Sequence, residues 1–271
     1  MSGEKVPFSS GKLKRSLEKS GAGTADVTFI LADITAMLYE DIPTKEIYAR
    51  AFSLLRKKSR SNAARYKLKR ALIELGPTGY PFEQYVGELM KYQGYDVEVN
   101  VFVKGHCVTH EIDVIAKKEH KQFMVECKFH TKQSRNCDIK VPLYIQSRFK
   151  DVEKVWAKLP GHEHMFHQGW IFTNTRFTSV ALEYGECVGL KLIGWDYPKQ
   201  GSLKDRIDIA GLHPITCLTS LTKKEKVLLL NRRKVLCRDL CSDPELLFMV
   251  GIKESRHANI LKEAHAVCSL N

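Results

Sequence analysis

The hydrophobic pattern of the chain changes at a short segment rich in glycine and proline, GPTGYP at residues 76–81. Before this segment, apolar residues recur every three or four positions, which is the spacing of helices that bury one face. After it, one further helical stretch is followed by alternating and continuous apolar runs that are typical of β-strands. We therefore predict a helical domain at residues 1–77 and a second domain at residues 78–200.

The second domain is predicted to be α/β from the order of its elements. The stretch PFEQYVGELMKYQGY has apolar residues at i, i+3, i+4, i+7 and i+8, which predicts an amphipathic helix. Strands are predicted in YDVEVNVFV, EIDVIAKK, FMVECKFH, GWIFTNT and KLIGWDY, and helices in VPLYIQSRFKDVEKVWAKL and SVALEYGECVGL. This alternation favours one sheet with flanking helices.

Residues 201–271 are again predicted to be helical. The stretch PELLFMVGIKESRHANILKEAHAVC places a Val-Gly-Ile turn between two apolar-periodic helices. One interpretation is a helix-hairpin-helix-like element, whose turn would direct backbone N–H groups at a DNA phosphate. An ordinary helical hairpin is the favoured alternative, because a single hydrophobic-Gly-hydrophobic turn is a weak signal.

The net charge and composition of the chain limit the kinds of partner it can bind. The chain has 43 Lys and Arg against 31 Asp and Glu, a formal net charge of +12. A basic surface attracts phosphate backbones and releases counterions on contact, which favours a nucleic-acid partner, although a solvated lysine-rich face would give the same number. No stretch approaches the ~18 consecutive apolar residues of a membrane span, and the amino terminus lacks an apolar signal core. A cytoplasmic protein with no membrane partner is expected, and the eight cysteines without repeated CxxC spacing fit reduced thiols.

The segment from residue 111 to residue 128 contains the residues with the clearest chemical meaning. HEIDVIA places Asp113 on one predicted strand, and VECK places Glu126 and Lys128 on the next. Residues two apart on a strand share a face, so a hairpin would bring the three side chains together. Two converging carboxylates can hold Mg²⁺ with water and substrate phosphate, and a nearby lysine can orient the attacking water and neutralise developing charge. Solvated positions or an internal ion pair are the alternatives, but the largely apolar strand favours the catalytic interpretation.

Three segments, FEQYVGELMKYQGYDVEV, HEIDVIA and FMVECKFH, together resemble the PD-(D/E)xK nuclease superfamily over residues 80 to 180. The resemblance is strongest to the Mrr-like restriction endonucleases and the archaeal Holliday-junction resolvases. It implies a restriction-endonuclease-like mixed sheet flanked by helices, and DNA cleavage that depends on Mg²⁺ or Mn²⁺. It also implies catalytic roles for Glu83, Asp113, Glu126 and Lys128, and metal binding by Asp113, Glu126 and the backbone carbonyl of Cys127. Glu-Ile-Asp stands here where the name-giving motif has Pro-Asp.

Other polar residues near these motifs have more than one interpretation. Glu111 would share a strand face with Asp113, where it could support the site or simply be exposed. Gln146 could contact DNA or the site, although a surface glutamine on a helix is the commoner case. A polar or DNA-facing loop is favoured over zinc binding for the histidines of GHEHMFHQGW, which are His162, His164 and His167.

The amino-terminal domain has a resemblance of its own. The segment EKVPFSSGKLKRSLEKSGA, the helix starting at Thr44 and the ending AARYKLKRALIELG resemble an ATP-cone, the nucleotide-binding module of ribonucleotide reductases. An ATP-cone followed by an Mrr-like nuclease is typical of one bacterial family, and the whole chain resembles a member. The resemblance implies that Lys12, Thr44 and Tyr48 lie near an ATP or dATP regulator, and that residues 1–77 lack the module's first strand. A surface lysine, a helix cap and a core tyrosine are the alternative interpretations.

Two functions from different classes are consistent with these features. The first is a Mg²⁺-dependent DNA endonuclease, controlled by ATP or dATP and expected to form a homo-oligomer. The second is a nucleotide-sensing DNA-binding regulator, which would not need two acids and a lysine on adjacent strands. RNA cleavage ranks below both, since no aromatic RNA-recognition strand is present.

Overall fold

The computed structural model describes residues 7–162 and 165–269. These residues form two compact units. The α/β unit comprises residues 73–210, and the helical unit combines residues 7–72 with residues 211–269. The predicted absence of the first strand of the ATP-cone-like module concerns the start of the chain. Residues 1–6 lie outside the described residues, so this stays a prediction.

Consecutive helices form the amino-terminal part of the chain, as their apolar spacing predicts. Their bounds are α1 (Ser10–Lys19), α2 (Thr24–Ala36), α3 (Thr44–Lys58), α4 (Arg60–Tyr66) and α5 (Leu68–Ile73). Ser9 caps α1, since its side chain accepts a hydrogen bond of 3.3 Å from the Lys12 amide. The inward stripes of these helices bury Leu17, Ile30 and Leu55 completely in a common core.

The α/β unit contains one mixed sheet and its covering helices. Its elements are α6 (Tyr80–Tyr92), β1 (Asp96–Lys104), β2 (Thr109–Lys118), β3 (Lys121–Lys128), β4 (Asn136–Cys137), α7 (Lys140–Trp156), β5 (Phe166–Thr173), β6 (Arg176–Phe177), α8 (Ser179–Cys187), β7 (Lys191–Ile193) and α9 (Leu203–Ala210). The five-stranded sheet has the order β1-β2-β3-β5-β7, and β4 and β6 form a second, two-stranded sheet. The pairs β1-β2 and β2-β3 are antiparallel, whereas β3-β5 and β5-β7 are parallel. The predicted mixed sheet with flanking helices is confirmed.

The buried side chains of β1 and β2 switch at one position from the α6 side of the sheet to the α7 side. Asn100 of β1 has a left-handed backbone with φ of 60°, and the register on either side pairs Val99 with Val114 and Val101 with Ile112. Before Asn100, Val99 lies against Gly87 of α6. Beyond it, Val101 and Ile112 pack into the core cluster that α7 lines. By this register Asp113 is the residue opposite Asn100, so the candidate acid lies at the kink.

The carboxyl-terminal helices pack on the amino-terminal ones, which is why both belong to one unit although they are far apart in sequence. They are α10 (Lys223–Asn231), α11 (Cys237–Ser242), α12 (Leu246–Met249) and α13 (His257–Cys268). Helix α13 contacts α4 and α11. Arg65 of α4 donates hydrogen bonds of 2.7 Å to the carbonyl of Ala266 and 2.6 Å to that of Ser269, which satisfies the end of α13.

The Val-Gly-Ile turn precedes α13. Gly251 adopts a φ of 73°, which a glycine tolerates without steric cost, and the preceding helix α12 has four residues. A helix-hairpin-helix function for this turn stays a prediction. Among the described residues, no helix combines the length and the apolar character that crossing a membrane requires.

Candidate active site

A cleft of about 450 Å³ opens in the α/β unit beside the middle of β2 and the end of β3. Its walls come from the segment before α6 and the first turn of α6, from β2, and from β3 with the loop that follows it. The lining residues are Pro77, Gly79, Glu83, Asp113, Glu126, Cys127, Lys128, Phe129, His130, Thr131, Lys132 and Arg135. The structure therefore brings together all the side chains predicted to be catalytic, together with Cys127.

Asp113 is held by a backbone group of the neighbouring strand. The β2-β3 ladder ends at the pair Val114–Val125. Beyond that pair, the Cys127 amide donates a hydrogen bond of 2.7 Å to Asp113 Oδ2. One carboxylate oxygen of Asp113 is thus oriented by the strand that carries Glu126 and Lys128.

Glu126 and Lys128 are both half-buried on β3, while Cys127 between them is buried. This alternation is the strand periodicity that predicts a shared face for the acid and the lysine. Burial raises the pKa of the Cys127 thiol well above its ordinary value, with the charges of the nearby acids adding to the effect. The thiol is therefore neutral, and a contribution of Cys127 to a metal site would come from its backbone carbonyl.

Glu83 reaches the cleft from the first turn of α6. A methyl group built on Gly79 would lie 3.2 Å from Glu83 Oε1, so this glycine leaves room for the carboxylate. Burial raises the pKa of Glu83 to about 7, and the negative charges of Asp113, Glu111 and Glu126 contribute further. Glu111 itself is exposed and acts on the cleft through its charge.

The other two acids are also held in an environment that disfavours their charged forms. Burial raises the pKa of Asp113, opposed by the hydrogen bond from the Cys127 amide. Burial also raises the pKa of Glu126, and the charge of Asp113 adds to it. A cation in the cleft would relieve this repulsion, so the donors fit a hard divalent ion.

Side chains alone do not complete an ion site here. No group of three or more His, Cys, Asp and Glu side chains in the part of the chain that the structure describes is arranged to hold a metal. Mg²⁺ commonly uses one or two carboxylates and takes its remaining ligands from water and phosphate. The donors Asp113, Glu126 and the Cys127 carbonyl therefore fit Mg²⁺, which also takes water and phosphate ligands, better than a metal that needs a full set of protein ligands.

Arg148 of α7 is a residue of the site that sequence reasoning missed. Its Nη1 lies 2.9 Å from Glu126 Oε2, and the two side chains are only 11% and 17% exposed. The same guanidinium donates to the carbonyl of Glu111 and lies 5.2 Å from the ring centroid of Tyr144. A signal was present: Arg148 follows Ile145 by three positions and precedes Phe149 on the buried face of α7, where an arginine needs a partner.

Two further buried polar groups of the α/β unit, on Gln146 and His130, were only partly foreseen. Gln146 Oε1 and His130 Nε2 are buried and accept or donate no hydrogen bond among the described residues. His130 lines the cleft, and its backbone is clamped by Asn174, whose side chain contacts its amide at 2.9 Å and its carbonyl at 2.8 Å. Burial lowers the pKa of His130, which favours the neutral ring. Nothing in the sequence beyond its place next to VECKF pointed to His130.

Two histidines of the predicted loop, His162 and His167, contact each other. His162 Nδ1 lies 3.3 Å from His167 Nε2, and the His167 ring packs on Trp156 with centroids 5.5 Å apart. His164 lies outside the described residues. The interpretation of this segment as a polar or DNA-facing loop stays a prediction.

The residues expected near a nucleotide lie on two helices of the helical unit. Lys12 is exposed on α1, and Thr44 is the exposed first residue of α3. The Tyr48 ring stacks on Tyr66 and Phe52, with centroids 5.2 and 6.2 Å away. Lys12 matches its interpretation as a surface lysine, whereas Thr44 is not a helix cap, because Pro43 occupies the N-cap position of α3. Tyr48 is half-buried among aromatic rings, and nucleotide binding stays a prediction.

Comparison with known proteins supports the nuclease resemblance. Residues 77–197 match the family model described as restriction endonuclease, and residues 213–268 match the AF1548-like C-terminal model. An uncharacterized protein of Archaeoglobus fulgidus is 37% identical over 183 residues, which cover 67% of this chain and 99% of that protein. The crystal structure of a protein of unknown function, AF1548, superposes with a TM-score of 0.59 at 36% identity, covering 70% of this chain and 98% of that one.

These matches also limit the other resemblance. Neither family model reaches residues 1–76, so the ATP-cone is not shown. The relative is archaeal, so the expected membership of a bacterial family has no support. The chain belongs to the family of AF1548-like proteins, with a restriction endonuclease domain at residues 77–197.

Proposed function

We propose that this protein is a divalent-metal-dependent DNA endonuclease whose active site is the cleft of the α/β unit. The observation that carries the proposal is the convergence of Asp113, Glu126 and Lys128 in one cleft of a domain that matches the restriction endonucleases. A regulator that only binds DNA has no use for buried acids whose charged forms are disfavoured by their surroundings.

Asp113, Glu126 and the Cys127 carbonyl would hold Mg²⁺ or Mn²⁺. Such an ion, when bound, supplies Lewis-acid polarisation of the phosphate and lowers the pKa of water. The Cys127 amide fixes one oxygen of Asp113, and Arg148 fixes one oxygen of Glu126, so both carboxylates are oriented before substrate arrives.

Lys128 and Glu83 would act on charge and protons. The Lys128 ammonium, on the same strand face as Glu126, stabilises negative charge that develops on the phosphate oxygens. Glu83, with its pKa raised to about 7 by burial, lines the same cleft and can hold or release a proton there near neutral pH. Adenine-nucleotide control and self-association would add regulation to this site and remain separate predictions.

The test separates metal binding from turnover. Asp113→Asn and Glu126→Gln should abolish both Ca²⁺ binding by calorimetry and plasmid nicking with Mg²⁺ or Mn²⁺. Lys128→Ala should keep Ca²⁺ binding within a few fold and lower the nicking rate by ~10² or more, because it removes a charge that acts on the transition state.

Lys104→Ala, which removes an exposed lysine at the end of β1, is the matched control and should nick at the wild-type rate. Wild-type cleavage by Lys128→Ala would remove this mechanism. It would leave the nucleotide-sensing DNA-binding regulator as the better account.

A further inference from the structure

The positive charge of the chain is divided unequally between its two units. Residues 73–210 contain 18 Lys and Arg and 18 Asp and Glu, so the α/β unit is formally neutral. Residues 1–72 and 211–271 contain 25 Lys and Arg against 13 Asp and Glu. The whole formal excess of +12 therefore belongs to the helical unit, which lacks the candidate catalytic residues.

Part of this charge is gathered where four helices of the helical unit meet. The Asn62 side chain near the start of α4 donates a 2.9 Å hydrogen bond to the carbonyl of Gly21, in the turn between α1 and α2. At the end of α3, Lys58 Nζ lies 3.9 Å from Asp26 Oδ1 and 5.2 Å from the ring centroid of Phe29, both on α2. We call the basic residues at this junction the basic corner: Lys19, Arg56, Lys57, Lys58 and Arg60.

The acids near the basic corner pair with other basic residues and not with its arginines. Asp26 is paired with Lys58, and Glu18 is paired with Lys14 at 3.9 Å. Asp33, whose charge also interacts with Lys57, is paired with Arg50 at 2.6 Å. Arg56 and Arg60 are exposed, and no acid of the described residues lies within 4.0 Å of either guanidinium. Their donors face water and are open to an external anion.

The helix dipole accounts for only some residues of the basic corner. Cations in the last turn of a helix interact favourably with its dipole, which accounts for Arg56, Lys57 and Lys58 in α3. Arg60 is the first residue of α4, where the dipole disfavours a cation. Helix stability therefore does not explain an arginine at that position.

We propose that the basic corner of the helical unit binds the phosphate backbone of duplex DNA, while the neutral α/β unit supplies the chemistry. The inference rests on the proposed function, because that function makes duplex DNA the polyanion that the protein meets. Contacts of this kind are independent of base sequence, and each neutralised phosphate steepens the dependence of affinity on salt.

The experiment measures binding of the full chain to a labelled duplex in EDTA by fluorescence anisotropy, from 50 to 300 mM KCl. The corner variant is R56Q/K57Q/R60Q. The control K104Q/K158Q/K191Q removes three exposed lysines of the α/β unit that do not line the cleft. The salt slope of log K should fall by ~2 to 3 in the corner variant, and Kd at 100 mM should rise ~10-fold or more. The control should keep the wild-type slope to within ~0.5.

A charge-preserving variant, R56K/R60K, guards against a folding explanation and should bind within a few fold of the wild type. Equal slopes for the corner variant and the control would overturn the inference. Tighter wild-type binding to an RNA duplex or to anionic lipid vesicles than to DNA would also overturn it, since the partner would then be another polyanion.

Plasmid nicking distinguishes this failure from failure of the proposed function. If the protein nicks plasmid, the corner variant should raise KM and leave kcat unchanged, whereas unchanged KM would overturn the inference alone. If no metal supports nicking but the corner variant loses its salt slope, the proposed function fails and the DNA-binding surface stands.

Discussion

Replacement of Glu83 by glutamine should stabilise the metal-free protein above neutral pH, although it removes a residue proposed to be catalytic. Burial and the neighbouring acids raise the pKa of Glu83 from an ordinary 4.5 to about 7. The folded state therefore holds this proton more tightly than the unfolded state does. The resulting stability is fully present below about pH 4.5 and is lost as the pH rises through about 7.

The size of the effect follows from the shift and from the exposure of the side chain. Moving the pKa of Glu83 from 4.5 to about 7 corresponds to at most ~3.4 kcal/mol. Glu83 is only half-buried, so solvent screening reduces the expected gain to ~1–2 kcal/mol. Glutamine has the same shape and no charge, so Glu83→Gln should raise Tm at pH 8 by ~2–8 °C and change it much less at pH 5, where the folded-state carboxyl still holds its proton.

The assay is thermal unfolding of the full chain in EDTA at pH values from 5 to 8. Glu183→Gln, which removes an exposed acid on α8, is the matched control and should not change the pH dependence. Saturating Mg²⁺ should narrow the difference between Glu83→Gln and wild type, because a bound cation relieves the same repulsion. A Tm for Glu83→Gln at or below the wild-type value at pH 8, with equal values at pH 5, would refute a repulsive acid cluster.

Three other outcomes are expected. Gly87→Ala should lower the free energy of unfolding by ~1–3 kcal/mol in denaturant titrations, because its methyl group would lie 2.8 Å from Val99 Cγ2. The control Gly11→Ala should leave the free energy of unfolding unchanged, because its methyl group would meet no atom within 4 Å. Asn100→Val should lower the free energy of unfolding by ~1–2 kcal/mol and reduce the nicking rate, because valine is strained at the φ of 60° opposite Asp113. Asn100→Gly should keep the stability and the nicking rate near wild type, because glycine adopts this φ without strain. ATP and dATP should show weak or undetectable binding by calorimetry, and micromolar binding would show that the amino-terminal helices form a competent nucleotide site.

The mixed sheet was predictable from the sequence because its elements have clear periods. The amphipathic spacing of α6 and the apolar runs of β2 and β3 report directly which faces are buried. The grouping of the helices into units was not predictable, since it depends on the packing of α13 on α4 across about two hundred residues of chain. No local pattern encodes such a contact.

The acids and the lysine of the cleft follow from the sequence alone, because a strand of period two places Glu126 and Lys128 on one face and the hairpin delivers Asp113 to the same place. Only the tertiary structure decided what surrounds them. The left-handed Asn100 kinks the sheet at Asp113, the Cys127 amide fixes that carboxylate, and Arg148 pairs with Glu126 from a helix twenty-two residues further on. These groups meet through space, and the raised pKa of Glu83 depends on how many acids share the same buried volume. Residue types and spacing therefore determine the kind of chemistry, whereas the charge state and orientation of each group depend on neighbours that only the folded chain supplies.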